Sequence, residues 1–349
     1  MLYGMTNPHG GDIYGGDVHL DFSANTNPFG TPPGVLDAVS RALPDMHRYP
    51  DPYCRRLVEK IAAFEGVNRD DILCGNGAAE LIYAYCGAVR PKTALEPAPT
   101  FSEYALGLAQ VGCQVKPYYL TPDRDFALDS HFPDYLTEIL PEAVFLCNPN
   151  NPTGMLIHPA VLKDILDVCR ENRIRLFVDE CFLDLSDDGQ SMKGYLAEYP
   201  NLFILKAFTK SYGMAGIRLG YCLCSDRELL KAMSRTVQPW NVSGLAQAAG
   251  LAALDEGDFL AKTKALIQTE RPWLKEKLEA FGFRVFPSQV NYLLFQGPQT
   301  LHRDLKARGI AIRNCDNYPG LTVGWYRIAV RRHEENEALI AAIGSCLEV

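Results

Sequence analysis

The sequence has no run of apolar residues long enough to cross a membrane as a helix. It also lacks the basic region followed by an apolar run that marks a secretory signal. The net charge is -8, which is opposite in sign to the charge that a protein needs to bind nucleic acid through its phosphates. We therefore expect a cytoplasmic protein that binds neither a membrane nor nucleic acid.

The C-x-x-C motif is also missing, because no two of the 11 cysteines stand at that spacing. Most lie inside apolar runs, as Cys74, Cys86, Cys147 and Cys222 do. An odd, scattered set of this kind indicates reduced, buried thiols and not a disulfide framework or a zinc site. We find no internal repeat and no low-complexity linker, and we expect no bound metal.

Short apolar runs alternate with helical patterns through the first two thirds of the chain. Alternating strands and helices predict an α/β fold with a mostly parallel sheet that helices cover on both faces. The predicted strands are 71–74, 93–96, 114–119, 143–147, 174–179 and 202–206, and the predicted helices include 35–43, 52–64, 101–110 and 159–172.

The pattern changes after residue 232, where two helices (242–254 and 259–281) precede a smaller unit of mixed strands and helices. The strands expected in this unit are 284–286, 292–295, 310–313 and 326–330, and its helices are 300–308 and 334–346. The 349 residues fit one large domain and one smaller domain. We predict an N-terminal arm with a small-domain segment (1–44), a large domain (45–240) and a small C-terminal α+β domain (241–349).

Polar and glycine-rich segments follow several of the predicted strands. The segment 148–154 follows one strand, Asp179 ends the next and Lys210 follows a third. Ligands of parallel sheets bind at this edge.

Gly75-Asn76-Gly77 opens a helix, where exposed backbone amides suit a phosphate, although an ordinary turn is an alternative. His9-Gly10-Gly11 similarly suits an anion, although an N-terminal tail without function is an alternative.

The segment 207–221 places Lys210 eight residues before Arg218. Lysine becomes a nucleophile toward carbonyls when burial or nearby positive charge lowers its pKa. Phe208, Tyr212 and Met214 could supply the burial, and Arg218 could supply the charge and bind a phosphate. A lysine that forms an imine beside a phosphate-binding arginine is what pyridoxal phosphate requires. The alternative is a strand followed by a loop with two surface cations.

The same segment resembles the cofactor-binding lysine segment of the fold-type-I pyridoxal-phosphate enzymes, the aspartate aminotransferase superfamily. The segment 148–154 resembles the Asn-Pro-x-x-Pro-x-Gly turn of that superfamily. The resemblance implies that Asn151 bonds the cofactor's phenolic oxygen, that Asp179 pairs with its ring nitrogen and that Phe101 stacks on the ring, unless Phe101 is a core residue. The resemblance implies that Lys210 and Asp179 are catalytic. It also implies a homodimer in which Tyr49 reaches the cofactor phosphate of the neighbouring subunit. The other residues that it assigns to the cofactor are Gly77, Ala78, Phe101, Asn151, Thr209 and Arg218.

Three positions depart from or compete with this pattern. Ala207 stands where the superfamily usually has a phosphate-binding serine or threonine, and Phe182 stands where aminotransferases commonly have tyrosine. Lys206 is a second lysine nearby, but it lies inside a predicted strand and has the wrong spacing to Arg218.

Within the superfamily, two subfamilies compete: threonine-phosphate decarboxylases and histidinol-phosphate aminotransferases. Three segments, at 9–12, 179–182 and 312–331, resemble the decarboxylases more. That resemblance implies decarboxylation of L-threonine O-3-phosphate for cobalamin side-chain synthesis, and the alternative is transamination of histidinol phosphate with glutamate. Asp12 departs from the decarboxylase motif, which leaves room for another substrate such as phosphoserine. The substrate-binding residues implied are Arg327 for the carboxylate and Arg313, His9 and Asn25 for the phosphate.

A hypothesis from another class is a transcriptional regulator whose aminotransferase-like domain only senses the cofactor. Such a protein needs a DNA-binding module in the same chain, and the acidic charge argues against one. Cofactor-dependent turnover, compared with a DNA-binding assay, distinguishes the two classes.

Overall fold

The computed structural model describes residues 9–347. The strands are β1 (Leu20–Asp21), β2 (Ile72–Gly75), β3 (Thr93–Ala98), β4 (Gln114–Tyr119), β5 (Ala143–Cys147), β6 (Arg175–Asp179), β7 (Leu202–Ala207), β8 (Gly220–Leu223), β9 (Arg284–Val285), β10 (Tyr292–Gln296), β11 (Ile310–Ala311), β12 (Arg313–Asn314) and β13 (Trp325–Ala329). The helices are α1 (Pro33–Ala42), α2 (Arg55–Glu65), α3 (Gly77–Val89), α4 (Glu103–Ala109), α5 (Phe132–Ile139), α6 (Pro159–Glu171), α7 (Phe208–Ser211), α8 (Arg227–Ser234), α9 (Gly244–Ala253), α10 (Phe259–Ala280), α11 (Leu301–Lys306) and α12 (His333–Leu347).

The central sheet has seven strands in the order β2-β8-β7-β6-β5-β3-β4. Strands β3 to β7 pair in parallel, whereas β8 is antiparallel to both of its neighbours. Every residue of β5 and β7 is buried, as expected for strands covered on both faces. The predicted α/β class with a mostly parallel sheet is confirmed, but the sequence reading missed β8.

Alternate side chains of the central strands pack into two hydrophobic clusters, one on each face of the sheet. One cluster contains Val178 and Ile204, and the other contains Phe145, Phe177 and Phe203. These three phenylalanines stack across neighbouring strands, with ring centroids 4.7 Å and 4.9 Å apart. Aromatic pairs on adjacent strands stabilise a sheet, so the strand ends that carry functional residues rest on a rigid base.

The C-terminal part forms a four-stranded antiparallel sheet in the order β12-β13-β10-β9, covered by α10, α11 and α12. Strand β1 pairs in parallel with β11 outside that sheet, and Phe22 joins the same core. The single strand predicted at 310–313 is wrong, because Ile312 turns inward and separates β11 from β12, which belong to different sheets.

The three-part domain division stays a prediction, and its outermost residues, 1–8 and 348–349, lie outside those described. The pairing of β1 with β11 does place the N-terminal arm beside the C-terminal unit. No helix between residues 9 and 347 is both long enough and apolar enough to cross a membrane. Nine of the eleven cysteines are buried.

Candidate active site

The polar residues predicted from the strand ends meet in one cleft at the carboxyl edge of the central sheet. The cleft has a volume of about 220 Å³ and lies between the sheet, the N-terminal segment and the small unit. Because β7, β6, β5 and β3 are neighbours, the residues that end or follow them converge. The predicted residues that line the cleft are His9, Asn25, Ala78, Phe101, Asn151, Asp179, Thr209, Lys210, Arg218, Arg313 and Arg327.

Asp179, at the end of β6, is a buried carboxylate at the floor of the cleft. Its Oδ2 accepts a hydrogen bond from the Tyr104 hydroxyl at 2.6 Å, and its Oδ1 accepts one from the Cys181 amide at 2.8 Å. Burial raises the pKa of Asp179, and the bonds from Cys181 and Tyr104 and the charge of Lys210 oppose that rise. A buried carboxylate with a raised pKa is stabilised by a cation, which a protonated ring nitrogen would supply.

Tyr104 is a site residue that the sequence reading missed. It lies in α4, one turn after Phe101, and its ring packs edge-on against Phe101 with centroids 5.6 Å apart. Tyr104 is fully buried, and its hydroxyl fixes the orientation of the Asp179 carboxylate. The signal available was the three-residue spacing from Phe101, which places both rings on the same side of a helical turn.

Lys210 lies in the one-turn helix α7, directly after β7. Burial lowers the pKa of Lys210 to about 8, and the positive charges of Arg327 and then Arg218 act in the same direction. Its Nζ lies 5.6 Å from the centre of the Phe182 ring. A lysine with this pKa has far more neutral amine at neutral pH than an ordinary lysine, and the neutral amine is the form that attacks a carbonyl.

The environment of Lys210 differs from the prediction in two respects. Phe208, Tyr212 and Met214 pack into the hydrophobic core and do not line the cleft. Of the nearby positive charges, Arg327 lowers the pKa of Lys210 more than Arg218 does. The sequence could not indicate this, because Arg327 lies in the small unit, 117 positions further along the chain.

The anion-binding end of the cleft is built from the start of α3 and from Arg218. Gly77 has a φ of 78°, and a Cβ atom at this position would lie 2.5 Å from Arg218 Nη2. Within residues 9–347 no side chain caps the N-terminus of α3, and Ala78 in its first turn lines the cleft. Free amides at a helix start, next to a guanidinium, form a site for a phosphate.

We expect Gly77→Ala to weaken cofactor binding about 10- to 100-fold. The new methyl group would displace Arg218, and the left-handed backbone would add a strain of roughly 1–2 kcal/mol. Titration of the cofactor-free protein, followed by cofactor absorbance, measures the dissociation constant. Gly66→Ala is the matched control, because Gly66 also has a positive φ, of 69°, but has open space around it. Equal dissociation constants for Gly77→Ala and the wild type would show that Arg218 can bind the cofactor phosphate without the space left by the missing Cβ of Gly77.

Arg327 and Arg313 lie directly opposite each other on β13 and β12. Both are buried, with 5% and 8% of their surface exposed, and both line the cleft. Arg327 donates to Asn151 Oδ1 and to the Ser23 carbonyl, and its Nε has no hydrogen-bond partner in the described part of the chain. Like charges at directly opposed positions destabilise a sheet unless an anion compensates them.

Arg313 is held in place by its own loop. Its Nη2 donates to Asn317 Oδ1 at 2.7 Å, and its guanidinium lies 5.0 Å from the centre of the Tyr318 ring. Tyr318 is buried and also lines the cleft, although the sequence reading gave it no role. The planar guanidinium is therefore oriented before a ligand arrives, which reduces the entropy that binding loses.

His9 and Asn25 complete the wall on the N-terminal side. His9 Nε2 lies 2.7 Å from Glu103 Oε1, and Glu103 also accepts a hydrogen bond from Tyr83. Asn25 is 1% exposed, and neither polar atom of its side chain has a hydrogen-bond partner in the structure. A buried amide without partners is costly, so a polar ligand at this wall would stabilise it.

Tyr49 is the one predicted site residue that lies away from the cleft. It is 79% exposed and stacks on Trp240, with ring centroids 4.5 Å apart. Its predicted role requires a second subunit, and that role stays a prediction. Lys206 also lies outside the cleft and is buried in an ion pair with Glu65, whereas Ala207 lines the cleft.

The residues of the cleft fit pyridoxal phosphate. The buried Asp179 carboxylate, the depressed pKa of Lys210 and the close packing of Gly77 on Arg218 match the three ends that the cofactor presents: a ring nitrogen, an aldehyde and a phosphate. Asn25 Nδ2, Asn25 Oδ1 and Arg327 Nε have no hydrogen-bond partner in the described part of the chain.

Comparison with known proteins identifies the family. The model of the aminotransferase class I and II family matches residues 18–343. The chain is 36% identical over 342 residues to threonine-phosphate decarboxylase of Salmonella typhimurium, covering 95% of this chain and 92% of that protein. It is 35% identical over 347 residues to histidinol-phosphate aminotransferase of Desulfitobacterium hafniense, covering 95% and 92%.

A solved structure has the same fold. It is histidinol-phosphate aminotransferase from Sinorhizobium meliloti in complex with pyridoxal-5'-phosphate, with a TM-score of 0.86, 22% identity, and coverage of 98% of this chain and 96% of that chain. These matches extend over nearly the whole length of each protein and are to enzymes, so the regulator hypothesis has no support from them. The chain therefore belongs to the aminotransferase class I and II family and is a pyridoxal-phosphate-dependent enzyme.

Proposed function

We propose that the enzyme removes carbon dioxide from L-threonine O-3-phosphate and produces aminopropanol phosphate, a step of cobalamin side-chain synthesis. The observation that carries this proposal is the opposed pair Arg313 and Arg327, both buried and both facing the same cleft. A substrate with a carboxylate and a phosphate would compensate both charges at once. Histidinol phosphate lacks the carboxylate that Arg327 would bind.

Each substrate group has a proposed partner. Arg327 binds the carboxylate through its guanidinium, whose Nε is unpartnered. Arg313, His9 and Asn25 bind the phosphate, and Asn25 Nδ2, which has no hydrogen-bond partner in the described part of the chain, would donate to it. The two anionic ends of a short substrate would then be fixed, and with them the orientation of the bonds at its Cα.

When bound, pyridoxal phosphate would supply an aldehyde that can join an amine with loss of water, and a cationic ring that can accept an electron pair. Asp179 supplies the negative charge that keeps the ring nitrogen protonated, and Tyr104 holds that carboxylate. The bond between Cα and the carboxylate carbon breaks, and carbon dioxide leaves. Lys210 holds the proton that replaces it at Cα, because the pKa of its amine, about 8, allows both gain and loss of a proton near neutral pH.

Phe182 supports decarboxylation over transamination. In aminotransferases the superfamily pattern has a tyrosine hydroxyl at this position, and here a phenyl ring contacts Tyr292 edge-on, with centroids 5.1 Å apart. The ring lies near Lys210 and keeps this side of the cleft apolar.

We expect Arg313→Ala to raise the KM for L-threonine O-3-phosphate about 10- to 100-fold. Each charge-assisted hydrogen bond lost to the phosphate costs about 1.5–3 kcal/mol. The KM for unphosphorylated threonine, measured by carbon dioxide release, would change little. Arg331→Ala is the control, because Arg331 pairs with Glu335 and does not line the cleft. A similar rise in KM for both substrates would exclude Arg313 as the phosphate-binding residue.

Transamination of histidinol phosphate with glutamate is the second candidate. The observation in its favour is the 35% identity to an enzyme with that name, close to the 36% identity to the decarboxylase. The same lysine and aspartate could serve either reaction. The two reactions differ in their products, which are carbon dioxide in one case and glutamate or 2-oxoglutarate in the other.

We also propose a homodimer in which Tyr49 reaches the cofactor phosphate of the neighbouring subunit. Support comes from the exposure of Tyr49 (79%), Tyr53 (69%) and Met46 (65%) on one stretch of chain, because exposed large side chains of this kind mark a protein interface. Sedimentation analysis at micromolar concentration tests the dimer, and a monomer with full cofactor affinity would contradict the role of Tyr49.

A further inference from the structure

A cluster of charged side chains lies behind the helix that carries Lys210, on the face of the sheet opposite the cleft. Successive side chains of a strand point to opposite faces, so Ala207 lines the cleft while Lys206 points away from it. Lys206 Nζ lies 2.9 Å from Glu65 Oε1 and 3.4 Å from Asp184 Oδ1. Glu65 also accepts hydrogen bonds from Lys193 at 2.8 Å and from the Tyr221 hydroxyl.

The charges in this cluster stabilise one another. Burial alone would lower the pKa of Lys206, but the carboxylates of Asp184, Glu65 and Glu180 outweigh it and raise that pKa well above its usual value. Burial also acts to raise the pKa of Glu65, and the opposing contacts from Lys206 and its neighbours leave it lowered. Lys206 and Glu65 therefore stay charged, and a buried ion pair with further hydrogen bonds holds its geometry tightly.

One member of the cluster reaches the helix of the catalytic lysine. Ser211 Oγ donates a hydrogen bond to Asp184 Oδ2 at 3.0 Å, and Ser211 immediately follows Lys210 in α7. The Ser211 carbonyl accepts a second bond, from Asn27 Nδ2, at 2.8 Å. Ser211 is completely buried, so these two bonds fix the residue adjacent to Lys210 from two sides.

Asp184 also belongs to the loop that begins at Asp179. It lies in a single helical turn, Leu183–Leu185, that directly follows Phe182. The hydrogen bond between Asp184 and Ser211 therefore links the loop after β6, which carries Asp179 and Phe182, to the helix after β7, which carries Lys210. Catalytic groups need such support, because small errors in their placement cost large factors in rate.

We propose that Asp184 is a positioning residue for Lys210, which acts through the Ser211 hydroxyl and is itself held by Lys206 and Glu65. This inference rests on the proposed role of Lys210 as the residue that attaches the cofactor. Asp184 touches neither cofactor nor substrate, and it does not line the cleft. Its contribution is to hold α7 in the position where the Lys210 amine meets the cofactor aldehyde.

The test uses the full-length, cofactor-free chain in four forms: wild type, Asp184→Asn, Ser211→Ala and the double variant. Pyridoxal phosphate is added, and the rate of its covalent attachment to Lys210 is followed by absorbance and by borohydride trapping with peptide mapping. Thermal unfolding is recorded in parallel. Asp187→Asn is the matched control, because Asp187 lies on the same loop with similar exposure (21% against 25% for Asp184) and pairs with Arg271.

We expect each single variant to attach the cofactor about tenfold more slowly, the effect of one lost bond to a charged group. The double variant would also be slowed about tenfold, because Asp184→Asn acts only through the hydrogen bond that Ser211→Ala already removes. Asp187→Asn would stay within about twofold of the wild type. The slowing would appear even where the unfolding temperature is unchanged.

Other results would overturn the proposal. Slowing that multiplies in the double variant would mean that Asp184 and Ser211 act independently. A lower unfolding temperature with an unchanged attachment rate would make the cluster purely structural. A wild-type protein that carries no label on Lys210 would refute the role of Lys210 itself, and with it this inference.

Discussion

Replacing Lys210 with alanine is expected to abolish covalent attachment of the cofactor and to lower kcat by roughly 10⁴-fold, the upper range of what a general acid–base residue contributes. Lys210 has a pKa near 8, and no other lysine lines the cleft among the described residues. After borohydride reduction, peptide mapping of the wild type would show the label on Lys210. A label on Lys206 would contradict the assignment.

The pH dependence of attachment follows from the same pKa. Only the neutral amine attacks the aldehyde, so attachment to the cofactor-free protein would be fastest above pH 8. Below pH 8 the rate would fall about tenfold for each pH unit, because the amine becomes protonated. Lys210→Arg is the companion variant, since arginine keeps the positive charge but has no neutral form at these pH values. A rate that went on rising about tenfold for each unit from pH 8 to pH 10 would show that burial does not lower the pKa of Lys210.

Replacing Asp179 with asparagine is the second change with a large expected effect. The amide has nearly the same shape but carries no charge, so it cannot keep the ring nitrogen of the cofactor protonated. Removing one partner of a buried ion pair costs about 3–5 kcal/mol, which corresponds to a fall in kcat of roughly 10²- to 10⁴-fold. Steady-state kinetics, together with the absorbance spectrum of the bound cofactor, measures this effect.

Tyr104→Phe separates the charge of Asp179 from its orientation. This variant removes the hydrogen bond from the Tyr104 hydroxyl but leaves the carboxylate and its bond from the Cys181 amide. We expect a smaller loss of about tenfold in kcat. If Tyr104→Phe and Asp179→Asn were equally impaired, the hydrogen bond, and not the negative charge, would be the main contribution of this pair.

The sequence predicted the cleft well where local patterns determine it. Apolar runs ending in Asp179 or followed by Asn151 and Lys210 predict parallel strands, and the geometry of a parallel sheet then places these residues at one edge. The sequence did not indicate that the strand predicted at 310–313 divides at Ile312. This division aligns Arg313 with Arg327, and it depends on strand pairing, which residue patterns do not determine.

Contacts between distant parts of the chain could not be predicted. Lys206 is an unexpected charge in a buried strand, and its partner Glu65 lies 141 positions earlier. In the sequence, Tyr104 and Tyr318 look like ordinary core residues. Their roles become visible only in the structure, where the Tyr104 hydroxyl bonds Asp179 and the Tyr318 ring lies beside the Arg313 guanidinium. The superfamily resemblance supplied roles for residues such as Arg327, but not the contribution of Arg327 to the pKa of Lys210.

The fate of the substrate carboxylate distinguishes the decarboxylase from the aminotransferase most directly. The holoenzyme is incubated with L-threonine O-3-phosphate labelled with ¹³C at C1, and separately with histidinol phosphate and 2-oxoglutarate. We predict that the first mixture releases labelled carbon dioxide in a one-to-one ratio with aminopropanol phosphate and that the second forms no glutamate. Glutamate from the second mixture, with the label retained in the first, would contradict the decarboxylase assignment and identify an aminotransferase.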